Sequence, residues 1–454
     1  MTADEVLERF TRQVPVAAMV RGLIEHLFAP DTLNAIPRGR ELYTYTRSIA
    51  FADLVGLMTD VAFRVHPSVR AAYRHSRAAR AAATLKAFYE KFSHIEPGVC
   101  RALVRRLGAP CAAIIAALDP PPAAPGGLRW RTLDGNTLAP TQRRLDGLED
   151  TYAPLPGRAL VLRDHATGLF VDVLPCPDAY TSERALVGRL GDWWQAGDVV
   201  VADSNFCTEE LFRQLAAAGA YPVVRHHGSV GLHPLGPARR LGRTDTGEVR
   251  EQPVRYAETG LTMRCVTVRL DRPTRAGDTE VRILTTLPAG LADGVRVADA
   301  YRDRRTIETA FQELEAAVRS EVDTLAYPPA ALFGFSIGLA LCNMLQVVRV
   351  ALEPAAGQTA EPISGVLLGQ EVATYLGGLL LLDLPDTWPQ AGWDAGRMAA
   401  WLTRLAAHVD RRHYARSQRG PKRKKPFERR HQPSGHASTA RIVRRHSKKN
   451  PSPP

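Results

Sequence analysis

The run Asp119-Pro120-Pro121-Pro122-Ala123-Ala124-Pro125-Gly126-Gly127 divides the chain, because repeated proline and paired glycine oppose helix and strand alike. Before it, apolar residues recur at helical spacing in 50–58, 79–92 and 99–118, with Pro67, Pro97 and Pro110 as punctuation. After it the period falls to two: Leu128, Trp130 and Thr132 alternate with Arg129, Arg131 and Leu133 and lead into Asp134-Gly135-Asn136. A chain that changes period across such a linker has a helical part and a part built on a sheet. Its 454 residues are enough to bury a full core.

Beyond the linker, 159–162 and 169–174 flank His165-Ala166-Thr167-Gly168 as a hairpin. Residues 182–190 are helix-like, Val199-Val200-Val201-Ala202-Asp203 is a short apolar strand ending on an acid, and Thr208 caps a helix that leads to a strand at 221–225. This β-β-β-α-β-α-β order predicts an α/β fold with a mixed sheet. The expected division is a helical amino-terminal region (1–118) with scattered arginines, the linker (119–127), and the first part of a sheet core (128–225). A β-rich insertion (226–290), the rest of the core (291–352), a helical region (353–410) and a basic tail without regular structure (411–454) follow.

The net charge of +12 belongs to that tail: residues 411–449 hold fifteen Lys or Arg against one acid, Glu428, which leaves the rest near neutral. Lys422, Arg423, Lys424 and Lys425 form its densest cluster, and such a tract attracts polyanions without reading sequence. The six cysteines lie far apart with no Cys-x-x-Cys pair, so neither a zinc ribbon nor a disulfide framework is indicated. The first twelve residues are acidic and polar where a signal peptide needs basic and apolar blocks. A cytoplasmic protein without a membrane partner is expected.

The helix over 301–315 carries two unlike stripes. At about 100° per residue, Tyr301, Arg304, Glu308 and Glu315 share one stripe, and Ile307, Phe311, Leu314 and Val318 share the apolar one beside it. A carboxylate so placed, with a Tyr and an Arg nearby, suits a site facing phosphate. A solvated amphipathic helix would read the same way. Asp134 on the first strand and Asp203 at the end of the fourth stand where strand pairing would bring them to Glu308. Clustered carboxylates repel unless cations fill the space, and oxygen donors favour Mg²⁺ or Mn²⁺. Two such ions about 4 Å apart serve phosphodiester chemistry. Asp172, Asp198, Glu280 and Asp299 compete for the role without an equivalent placement, and no P-loop, Gly-x-Ser-x-Gly or His-Glu-x-x-His motif is present.

Leu133-Asp134-Gly135, Val201-Ala202-Asp203-Ser204-Asn205-Phe206-Cys207-Thr208 and the Tyr-x2-Arg-x3-Glu spacing of Tyr301, Arg304 and Glu308 resemble the DDE transposases of bacterial insertion sequences, of the group often called the IS-four family. The resemblance runs loosely over 50–350 and implies an RNase-H-like core with Asp134, Asp203 and Glu308 as catalytic metal ligands. It further implies cleavage of double-stranded DNA at the terminal inverted repeats and joining to target DNA, recognition of those ends helped by the helical region 1–118, a homodimer assembled on that DNA, and a nucleoid-associated setting. Tyr301 and Arg304 would contact terminal phosphates. Two positions depart from the pattern: Glu315 stands where the family has Lys, and Arg305 where it commonly has Trp. Arg305 or Gln312 is expected to replace the missing phosphate contact. A catalytically inactive DNA-binding relative and a hydrolytic nuclease on the same core remain alternatives.

Overall fold

The computed structural model describes residues 3–37, 49–76, 84–119, 127–257, 260–274, 277–353, 362–381, 388–416 and 436–449. Most of the linker and the cluster Lys422, Arg423, Lys424 and Lys425 lie outside them. The amino-terminal part is helical, as its spacing predicts: α1 (Ala3–Gln13), α2 (Pro15–Leu27), α3 (Pro30–Asn34), α4 (Phe51–Ala62), α5 (Val69–His75), α6 (Leu85–Ser93) and α7 (Pro97–Leu118). Pro110 does not punctuate this region; it lies inside α7, which runs on because its apolar face packs along its whole length.

The strands are β1 (Arg129–Thr137), β2 (Ala153–Leu155), β3 (Arg158–Asp164), β4 (Phe170–Cys176), β5 (Asp198–Ala202), β6 (Tyr221–Arg225), β7 (Leu232–Pro234), β8 (Arg239–Thr244), β9 (Gly247–Tyr256), β10 (Thr262–Leu270) and β11 (Glu280–Thr285). Among the described residues, ten of them form one mixed sheet in the order β4-β3-β1-β5-β6-β11-β10-β9-β7, with β8 paired to β9. β4, β3 and β1 are antiparallel neighbours, while β1, β5 and β6 run parallel. These five strands make the mixed sheet that the sequence predicts. The β-rich segment extends the same sheet through β11, which pairs antiparallel with β6 at Ile283↔Arg225 and Thr285↔Val223.

Helices α8 (Glu183–Val187) and α9 (Glu209–Ala217) cover one sheet face with Leu186, Val187, Leu211 and Leu215. Thr208 caps α9 by accepting a bond from Leu211 N at 3.3 Å. On the other face, α10 (Gly294–Asp303) and α11 (Arg305–Ala317) replace the single helix that the stripes predict. The chain divides at Arg304 because α10 packs Val297, Ala298 and Ala300 on the extended sheet, whereas α11 packs Ile307, Leu314 and Ala317 into the helical core. One straight axis does not serve both surfaces.

That helical core is shared. α12 (Pro328–Leu352), α13 (Gly365–Leu381) and α14 (Ala395–Ala406) join α2, α4 and α7 around Phe333, Phe335 and Ile337, and the same cluster takes in Val161, Phe170 and Val173 from the sheet. α12 is long and apolar enough to span a membrane by composition, but its side chains are buried among these neighbours. The tail reading needs correction at both its ends. Residues Arg411–Tyr414 form a short 3-10 helix, after which Arg416 pairs with Glu313. Further on, β12 (His436–Ser438) and α15 (Thr439–Lys449) are regular, because β2 offers His436–Ser438 an open strand edge.

Candidate active site

Two acids are placed by strand pairing alone. β1 and β5 lie parallel with Thr132 opposite Val201, so Asp134 and Asp203, each two residues further on, stand level at the same end of the sheet. Asp203 follows β5 directly and caps the 3-10 turn Ser204–Phe206 by accepting a bond from Asn205 N at 2.8 Å. Asp134 accepts one from Gly135 N at 2.9 Å.

Glu308 arrives from the first turn of α11, and Arg304 ties it to Asp134. The guanidinium is 3.2 Å from Asp134 Oδ2 through Nη1 and 2.8 Å from Glu308 Oε1 through Nη2. Burial pushes the Asp134 carboxyl up to about 6, against the opposing pull of Arg304 and the Gly135 bond and with help from Asp203 and Glu183. Burial also raises the Tyr301 hydroxyl, whose ring centroid lies 6.0 Å from the Arg304 guanidinium carbon. For Arg304 itself burial opposes the charge, yet Tyr301, Asp134, Glu308 and Asp203 outweigh it and hold the guanidinium firmly protonated. A cavity of about 140 Å³ is lined by Tyr301 and Arg304 together with Arg225, Arg302, Val268 and Ile283.

Among the described residues, no three His, Cys, Asp or Glu side chains are spaced to hold a metal ion. The chemistry of three carboxylates suits a hard divalent cation, but in this arrangement a guanidinium bridges two of them. The acids as positioned therefore do not fit the ion.

Glu183, at the start of α8, was not singled out by sequence reasoning. Its Oε2 accepts a bond from Asn205 Nδ2 at 3.2 Å, and its carboxylate crosses Gly135 so closely that a β-carbon there would lie 2.2 Å from Oε1. The signal for it was slight: Ser182 caps the helix by accepting from Ala185 N at 3.3 Å, which places an acid in the first turn. Asn136 was likewise missed as a brace; its Nδ2 donates to Glu321 Oε1 at 3.0 Å.

Glu315 does not face the acids. It accepts bonds from Ser320 Oγ at 3.0 Å and Glu321 N at 3.1 Å, so it ties the chain leaving α11. Gln312 is exposed and the side chain of Arg305 lies outside the described residues. The competing acids are each paired with arginine: Asp172 with Arg101 at 2.8 Å, Asp198 with Arg129 at 2.9 Å, Glu280 with Arg282 at 2.7 Å and Asp299 with Arg302 at 3.2 Å.

Residues 157–342 match the family described as the transposase DDE domain. The matched stretch begins after β1, so Asp134 precedes it, and it takes in Glu183, Asp203, Tyr301, Arg304 and Glu308. No curated protein sequence matches. Among solved structures, the chain is similar to the cryo-EM structure of a piggyBac transposase synaptic complex with hairpin DNA, at 12% identity and a TM-score of 0.39, covering 87% of this chain and 86% of that one.

Proposed function

We propose that this chain is a DNA transposase in which Asp134, Asp203 and Glu308 serve phosphodiester cleavage and strand transfer at the ends of an insertion sequence. The observation that carries the reading is the level placement of Asp134 and Asp203 on neighbouring parallel strands, with Arg304 joining Asp134 to Glu308. The transposase DDE match over 157–342 supports the same class. Duplex DNA is the partner, bound by a homodimer, and Tyr301 and Arg304 present a polar, cationic wall to its phosphates. Mg²⁺ or Mn²⁺, which when bound would offset negative charge on the phosphate oxygens, is part of this reading; the acids would take it only in an arrangement where Arg304 has released one of them.

Purified protein, Mg²⁺ and DNA carrying the element's own ends are expected to give nicked and joined products. Asp203→Ala and Glu308→Gln should each abolish both, and retained activity in the two variants would sink the assignment. Cleavage without joining would instead favour a hydrolytic nuclease.

A further inference from the structure

Residues 436–449 dock at the end of the sheet toward which β1 runs past Asp134. β12 pairs in parallel with β2, His436 opposite Ala153 and Ser438 opposite Leu155, and α15 follows at once. Ser438 and Thr439 are buried. Asp178 fastens the segment: its Oδ1 accepts a bond from Ser438 Oγ at 2.7 Å and its Oδ2 one from Arg441 Nε at 2.8 Å. Burial works to raise this carboxyl, but Ser438, Arg441 and the Tyr180 amide bring it below its ordinary range. The Arg441 guanidinium also lies 5.2 Å from the centroid of the Tyr180 ring, and the Tyr180 hydroxyl donates to the His436 carbonyl. At the other end of α15, His446 covers Gly147, where a β-carbon would come within 2.6 Å of the imidazole.

The loop that grips the tail also serves the site. Thr181 O accepts from Arg158 Nη1 at 2.8 Å, and Arg158 Nη2 donates to Thr137 Oγ1, at the end of β1, at 2.9 Å. Two residues later Glu183 stands beside Asp134. Arg444 and Arg445 are exposed on the docked helix, and among the described residues neither has an ion pair. A helix anchored through an acid, presenting unneutralised guanidinium groups at the sheet end that carries Asp134 and Asp203, complements the phosphate backbone of duplex DNA.

We propose that α15 is a DNA-contact surface held in register with the active site by the Asp178 clasp, so that the carboxyl terminus positions the substrate backbone as well as attracting it. The assignment rests on the transposase reading for its substrate. The test uses the full chain and labelled duplex DNA titrated over a range of salt. Arg444→Glu with Arg445→Glu is expected to weaken binding at low salt about tenfold and to reduce the slope of log affinity against log salt by about 2. Asp178→Ala keeps every tail cation, so it should preserve that slope while speeding amide hydrogen exchange across 436–441. It should also erase the part of the hydroxyl-radical footprint on the DNA that the double charge reversal erases; Ser438→Ala should give a weaker form of both changes. An unchanged slope in the charge reversal removes α15 from the DNA, and unchanged exchange in Asp178→Ala removes the clasp. If the wild-type protein binds with these slopes but never cuts element ends, the surface stands and the transposase reading falls.

Discussion

Arg304 touches both Asp134 and Glu308, and its loss would leave the mostly buried Asp134 without a compensating charge. Arg304→Ala is expected to destabilise the fold by about 1–3 kcal/mol near neutral pH. Adding Asp134→Ala should recover much of that, as a double-mutant cycle by urea denaturation would measure. A second buried acid gives a pH signature away from the site. Burial pushes the Asp60 carboxyl up to about 6 against the pull of Arg21. A folded-state value above the unfolded one favours the protonated form, so this contribution holds below about pH 4 and is lost as pH rises through about 6. Asp60→Asn should therefore stabilise the protein near neutrality by at most about 3 kcal/mol and make no difference near pH 4. The level placement of Asp134 and Asp203 was legible in the sequence because Asp134 lies within a strand of period-two character and Asp203 directly follows an apolar one. Glu183 was not: the helix-like reading of 182–190 covers a helix that spans only Glu183–Val187, and nothing in its pattern turns that acid toward Gly135 and Asn205. The Arg304–Glu308 pair has the i,i+4 spacing of one stripe, whereas the reach of Arg304 to Asp134 depends on how strand and helix pack, which spacing does not encode.

At the level of elements, the position of Glu308 depends on how α11 is packed. α13 crosses α11 where Gly369 meets Ala317, and a β-carbon at 369 would stand 2.5 Å from Ala317 O and 2.7 Å from its Cα. Backbone gives way less readily than a side-chain end, so Gly369→Ala should cost about 1–3 kcal/mol in thermal or urea unfolding and lower activity through displacement of α11. Asn343 on α12 seals the outer edge of β4: its Oδ1 accepts from Phe170 N and its Nδ2 donates to Phe170 O, both at 2.8 Å. Asn343→Leu strands both backbone groups in the core and should cost about 2–4 kcal/mol in urea unfolding. The helix break at Arg304 was illegible because no proline or glycine marks it; the division follows from two packing surfaces met only in three dimensions.

Across the whole molecule, the β3–β4 hairpin and the adjacency of β1 and β5 were readable from local signals, whereas the continuation of the same sheet into the β-rich segment through β11 was not. The sharing of one core by the first helices, the last helices and a sheet face was not, because contacts such as Phe51 with Phe333, ring centroids 5.8 Å apart, join segments that no local pattern links. The tail's two attachments set where it can be removed. Arg416 pairs with Glu313 and Ser364 N donates to Tyr414 O at 2.8 Å, so a chain ending after Arg416 keeps this anchor, whereas one ending after Val409 loses it. The longer truncate should retain its unfolding midpoint within about 2–4 °C while its DNA affinity responds less to salt. The division at Arg304 has a consequence for how substitutions reach the acids. Tyr301 is seated against the extended sheet through α10, and Glu308 is carried by α11 on the shared helical core, so Arg304, bonded to Asp134 and Glu308, is the joint at which packing changes on either surface meet.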